Sequence, residues 1–537
     1  MVGLATLAPV IVVVFGAVAG NVWQETFASP LNRSAIGYSL LLALRAPIAA
    51  IVGFTIAWLL IRIRIPGAQF IEFAFWISFF VPLLPVTLSW ILLLDPHYGL
   101  INRAAMMLPF VTVAPFNIYS VEGILWVHIT ASSVPVMVVL LGPAIRQLDA
   151  SFEEVGRMCG YGPFAVFRRI TLPILAPAIL TAALAGFIKS LEAFEVEQIL
   201  GRPADIYVYS TRIYDLASWE PPKFREAMAL STIMLTILLL IAMAYQHLSR
   251  RFNYATVLGR SASLRPVAIG RARWVISGAL WLIIAVSLVC PLAMLIVGSC
   301  MKLFGFFSIP SPYTLDHWRE VLSNPLFMSS LWNSLYLSFG AGLGGTFVYA
   351  AIAYLISRPG VPGRSAVELL TWLPWSIPGI LLGMSMLYLI LSSPLLSFLY
   401  GSIASLVVIM MIAQMPIGVQ MMKTSMRQVS IELEHSATVC GAGPATVFFR
   451  IVLPLIRPMI VSIFVVVFIS AMRDISTIIF LASARSQMLS LLMMQYGMSS
   501  NLEASAVLGV ITTAIVVAVA LVGRSFGLAL IADRQPR

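Results

Sequence analysis

The chain has 537 residues, 60% of them hydrophobic and only 10% charged, with a formal net charge of +11. An ordinary soluble domain carries about 25% charged residues, so a soluble enzyme, a secreted disulfide scaffold and a disordered chain are all excluded. A helix needs about 20 apolar residues to cross a hydrocarbon core about 30 Å thick, and the apolar content supplies many such crossings.

In chain order, apolar runs of spanning length fall at 3–22, 37–61, 70–94, 122–142, 173–191 and 226–246, then at 274–299, 332–356, 367–391, 401–422, 454–472 and 503–523. The first run lacks a basic leader and a clear cleavage site, so it reads as a span and not as a removed signal peptide. Backbone groups in lipid must be satisfied within the segment, so every span is predicted to be a helix. The prediction is an all-α membrane protein of about 12 transmembrane helices. Residues 1–246 form a first transmembrane domain, 247–273 an arginine-rich cytoplasmic linker, and 274–537 a second transmembrane domain.

Loop charges set the orientation. Arg62, Arg64, Arg146, Arg157, Arg168, Arg169, Arg358, Arg364, Lys423, Arg427, Arg450 and Arg457 share one side with the linker and tail arginines. That side holds about two thirds of the basic residues and about a third of the acidic ones, which places it, and both termini, in the cytoplasm. The net charge therefore reports orientation and not a nucleic-acid partner. Cys159, Cys290, Cys300 and Cys440 show no metal-ligand spacing, and the five histidines are scattered, so no metal site is predicted.

The two halves repeat each other. At an offset of 281, residues 154–177 and 435–458 are identical at 11 of 24 positions, including Cys159-Gly160, Gly162-Pro163, Ile170, Leu172-Pro173 and Pro177. Earlier in each half the offset is 296, pairing Arg62 with Arg358, Pro66-Gly67 with Pro362-Gly363, Glu72 with Glu368, and Pro82 with Pro378. The change of offset implies about 15 extra residues in the first half, in the outer loop near 95–121. Equivalent points lie six spans apart, so the repeat is parallel, with a pathway expected at the interface of its halves. Both copies of the Gly-Pro loop then face the cytoplasm. Each reads as two short helices broken by glycine, which permits a left-handed turn, with proline opening the next helix. Pro173 and Pro454 are expected to start the helices that re-enter the membrane.

These loops resemble the signature loop of binding-protein-dependent ABC importer permeases. The first copy supplies Glu154, Gly156, Gly160, Gly162, Pro163, Ile170, Leu172 and Pro173; the second supplies Ala437, Gly441, Gly443, Pro444, Ile451, Leu453 and Pro454, with His435 where the leading glutamate belongs and Glu434 one place earlier. The segment Glu192-Ala193-Phe194-Glu195-Val196 with Leu200-Gly201-Arg202-Pro203 is similar to the fused two-domain permeases of ferric-iron importers; thiamine, phosphonate and polyamine importers have related permeases. The resemblance implies the type I ABC importer transmembrane fold in a bacterial inner membrane. It also implies loops that dock into two ATPase subunits, and a periplasmic binding protein that delivers the solute. No lysine follows a glycine, so the chain shows no phosphate-binding P-loop. ATP and magnesium belong to the partner subunits, this chain binds no cofactor of its own, and no residue is assigned to catalysis.

Ionisable groups at membrane depth are the remaining candidates. Arg45 either faces the bundle interior or reaches toward the outer surface. Glu72 and Glu368 are expected to pair with Arg62 and Arg358. Glu192, Glu195 and Glu197, with Arg473 and Asp474 in the second half, mark an outer mouth or a loop that touches the binding protein. The competing class is an ion-coupled secondary transporter, which should carry acidic or histidine residues within its spans.

Overall fold

The computed structural model describes residues 11, 22–251, 269–358 and 363–525. Most of the predicted span 3–22, most of the linker, Pro362 and the tail arginines Arg534 and Arg537 lie outside the described residues. Among the described residues there is no strand, only an isolated bridge between Met301 and Tyr313.

Among the described residues eight helices are long and apolar enough to cross a membrane: Pro30–Arg62, Val121–Arg146, Pro163–Leu191, Phe224–Ile241, Ala272–Ser299, Pro325–Ser357, Ile403–Met426 and Leu502–Ser525. Each overlaps one of the predicted spans. Three more predicted spans are helix pairs broken by sharp bends, which the hydropathy pattern does not reveal. The run 70–94 is Ala68–Phe80 followed by Leu83–Leu94 at 104°, and the run 367–391 is Arg364–Trp375 followed by Gly379–Ser392 at 108°. Pro82 and Pro378 stand at these two corners. Each forces its predecessor out of the helical region, so that Val81 and Ile377 are extended.

The helix expected to start at Pro173 begins earlier, and the one expected to start at Pro454 begins later, at Arg457. Pro163–Leu191 runs through Pro173 without a stop, because a π turn at Phe167–Thr171 precedes it. Proline has no amide hydrogen to give, and the widened turn takes up the resulting gap. A matching π turn at Phe448–Val452 precedes Pro454, after which the chain bends by 78° at Ile456.

By packing, the chain groups into two units: Pro30–Arg212 with Ile233–Leu315, and Met1–Ser29 with Ile213–Thr232 and Asp316–Arg537. Within the first unit, Phe54, Ile56, Leu60, Ile71, Phe75, Met137, Leu141 and Leu280 form a buried core. Backbones close up where one partner is small: a Cβ on Gly53 would lie 2.4 Å from that of Met137. Within the second unit the roles are exchanged at the equivalent positions. There the ring of Tyr349 occupies the space beside Gly418, whose Cβ would meet it at 2.1 Å, and the phenol donates to the Met411 carbonyl at 2.5 Å.

Residues 95–120 of the first unit, the predicted extra segment, are a built loop. Fully buried Asn102 donates to the carbonyls of Leu94, Asp95 and Phe116 and accepts from the Phe116 amide.

Candidate functional site

The two Gly-Pro loops have one geometry. Asp149 and Ser430 cap the helices Ala150–Met158 and Ile431–Val439, each side chain accepting from the backbone two residues on. The helices end at Gly160 and Gly441 with φ of 83° and 86°. Cys159, Gly160 and Tyr161 donate to Val155, Arg157 and Gly156, and Cys440, Gly441 and Ala442 donate to Ser436, Thr438 and Ala437, all at 2.9–3.1 Å. This left-handed glycine stop satisfies the last carbonyls of the helix. A Cβ on Gly160 or Gly441 would meet nothing within 4 Å, so the backbone angle alone calls for glycine there. Pro163 and Pro444 then open short helices behind Gly162 and Gly443, and the π turns carrying Ile170 and Ile451 lead on to Leu172-Pro173 and Leu453-Pro454.

Gly156 answers a different need, since a Cβ there would lie 2.4 Å from Ile170 Cδ1. Ala437 stands at its equivalent in the second loop. Both tips present apolar side chains to the surroundings: Met158 is 87% exposed and its equivalent Val439 88%. Glu154 and His435 are exposed on the same helices.

The ion pairs depart from expectation. Glu72 pairs with Arg146, not Arg62, and Glu368 with Lys423, not Arg358. The left-handed Gly67 and Gly363 turn the chain after each arginine, which sets the two carboxylates against the ends of the Val121–Arg146 and Ile403–Met426 helices. The arginines reach the loops instead. Arg62 lies 3.3 Å from Glu153, and Arg358 pairs with Glu434. Glu434 is therefore the equivalent of Glu153, while His435 is that of Glu154.

The outer-mouth candidates other than Glu197 are half-buried. Glu192 pairs with Lys189 at 2.6 Å, and Asp474 accepts from the amide and hydroxyl of Thr477. Glu195 follows the end of the Pro163–Leu191 helix, and Arg473 is the last residue of the Arg457–Arg473 helix.

A cluster not anticipated as a unit lies nearby in the first packing unit. Arg45, His128 and Glu197 are at most 3% exposed. Glu197 Oε1 lies 2.8 Å from His128 Nε2 and 3.7 Å from the Arg45 guanidinium, which also donates to the Leu42 and Ser190 carbonyls. Glu197 Oε2 and both polar atoms of buried Gln198 have no hydrogen-bond partner. At the offset of 281, His128 and Glu197 correspond to the fully buried Ile409 and Ile478, so the equivalent positions of the second half are apolar. Arg45 and Glu197 were visible in the sequence as separate charges, and His128 as a scattered histidine within the span 122–142; His128 and Glu197 are 69 residues apart, and only folding joins them.

The spanning helices and the two copies of one capped, surface-presented loop resemble the membrane components of binding-protein-dependent ABC importers. Residues 347–533 match the family described as "Binding-protein-dependent transport system inner membrane component". The chain is 26% identical to the ferric transport system permease protein FbpB of Actinobacillus pleuropneumoniae over 376 residues, 68% of this chain and 53% of that protein. It is 28% identical to the putative ferric transport system permease protein FbpB 1 of Haemophilus influenzae over 378 residues, 68% and 57% of the two. A probable sulfate transport system permease protein, cysT of Prototheca wickerhamii, is 28% identical over 234 residues, 42% of this chain and 88% of that one. The chain thus matches little more than half the length of the two ferric relatives named here.

Proposed function

We propose that the chain is the membrane permease of a bacterial ATP-driven importer whose cargo is ferric iron. The observation that carries this reading is the duplicated loop: two surfaces with one backbone geometry suit two identical or related motor subunits. Exposed Met158 and Val439 offer apolar tips to a partner groove, and ATP hydrolysis belongs to those partners. A periplasmic binding protein delivers the solute on the opposite side, and the chain spans the inner membrane with both termini cytoplasmic. The cargo rests on the two ferric-named relatives; sulfate is the competing cargo to be tested.

The test is reconstitution of the chain with candidate ATPase subunits in sealed vesicles, with binding protein loaded with ferric iron or with sulfate. Iron-dependent ATP hydrolysis and iron uptake that needs nucleotide are the expected results. Uptake by the chain alone, driven by a proton gradient, would sink the proposal in favour of a secondary transporter, for which the buried Arg45–Glu197–His128 cluster is the supporting feature.

A further inference from the structure

Each loop is held at two points to the helix that precedes it by two spans, and the two grips are copies. In the first unit Arg62, at the end of Pro30–Arg62, binds Glu153 on the loop helix, and both side chains are at least 86% buried. One turn earlier on the same helix, Trp58 packs edge-on against Phe167 of the π turn, with ring centroids 5.5 Å apart. Glu153 also accepts from Thr171 at 3.0 Å, which ties the loop helix to the π turn itself. In the second unit Arg358, next after Pro325–Ser357, binds Glu434, and both are at least 88% buried. Tyr354 packs on Phe448 at 5.1 Å and donates its hydroxyl to Glu434 at 3.0 Å. The four pairs of equivalents, Trp58 and Tyr354, Arg62 and Arg358, Glu153 and Glu434, Phe167 and Phe448, all obey the offsets of 296 and 281.

We propose that each loop moves as one body with the cytoplasmic end of its long helix, Pro30–Arg62 or Pro325–Ser357, and that Arg62–Glu153 and Arg358–Glu434 are the positioning pairs that make it so. The physical reason lies in the alternative. An exposed loop joined only through flanking turns would yield at its glycine when pushed, and the displacement would die out in the turn. A largely buried ion pair with an aromatic contact one helical turn away fixes both position and angle. A push on the loop tip is then delivered to a helix of 33 residues, long enough to carry it through the membrane. This assignment also explains the second loop's missing glutamate at 435: the carboxylate retained in both loops is the one that grips the helix.

The inference rests on the importer reading, and the experiment separates them. In the reconstituted complex, E434Q and R358Q should retain bound ATPase subunits yet lose solute-dependent ATP hydrolysis on the order of tenfold, and the exchange R358E/E434R should restore it. The pair R358C/E434C should be equally impaired and should regain coupled uptake once a short bis-maleimide joins the two thiols, with wild type treated alike as the control. Full coupling in E434Q and R358Q, or a cross-link that abolishes residual uptake, would overturn the proposal by showing that loop and helix must part. A wild-type complex without nucleotide-dependent uptake would bring down both readings. A coupled wild type with insensitive pairs brings down only this one.

Discussion

At the scale of single residues, the cost of burying charge decides what the Arg45–Glu197–His128 cluster can tolerate. Removing one member of a buried pair leaves an uncompensated charge and costs about 3–5 kcal/mol, whereas replacing the whole set with apolar residues is often neutral. The second half shows the apolar solution at the same places, with Ile409 and Ile478 fully buried. Glu197→Leu alone should therefore lower the thermal midpoint of the purified chain sharply. The triple change Arg45→Ala, His128→Ile, Glu197→Ile should recover most of that loss. A triple variant less stable than Glu197→Leu would mean that the cluster is not self-contained. The loop glycines pose a simpler problem. With φ of 83° and 86°, Gly160→Val and Gly441→Val each pay about 1–2 kcal/mol for a left-handed backbone, and the helix stop is lost before the global fold is. The expected outcome is a chain that still inserts and binds solute-loaded partner but shows weakened nucleotide-dependent uptake.

At the scale of helices, the hydropathy windows located all the described spans because a hydrocarbon slab imposes one length on every crossing. They did not locate the corners at Pro82 and Pro378, since a running average registers apolarity and not direction. Charge partners were misassigned for a related reason. Glu72 lies near Arg62 in sequence, but the left-handed Gly67 between them sends it to Arg146. The glycine stop and proline start of the duplicated loop, by contrast, were legible because they are local chemistry, whereas the caps Asp149 and Ser430 emerge only from the structure. The packing between helices supplies a sharper test of the repeat. Gly53 faces Met137 in one unit, and Tyr349 faces Gly418 at the equivalent positions in the other. Gly418→Met should overpack against Tyr349 and destabilise by about 1–3 kcal/mol. Adding Tyr349→Gly rebuilds the first unit's arrangement, and the double variant should melt closer to wild type than Gly418→Met does. Additive losses would indicate that the two sites are not structural equivalents.

At the scale of the whole molecule, orientation joins the loops to their proposed partners, and the chain carries its own reporters. Cys159 and Cys440 are exposed immediately before the loop glycines, while Cys300 is half-buried after the Ala272–Ser299 span, at the opposite membrane face by the charge bias. Thiolate formation, and hence maleimide reactivity, requires access to water. A membrane-impermeant maleimide should therefore leave Cys159 and Cys440 unmodified in intact spheroplasts and modify both in inside-out vesicles, with any reaction at Cys300 following the reverse pattern. Adding ATPase subunits to the vesicles should then protect Cys159 and Cys440 together, since the loops that bear them share one geometry. Modification of either loop thiol from outside would invert the topology and leave the motor subunits nothing to bind. Protection of Cys159 without Cys440 would place the docking on one loop only, with His435 in the other as the first residue to restore to glutamate.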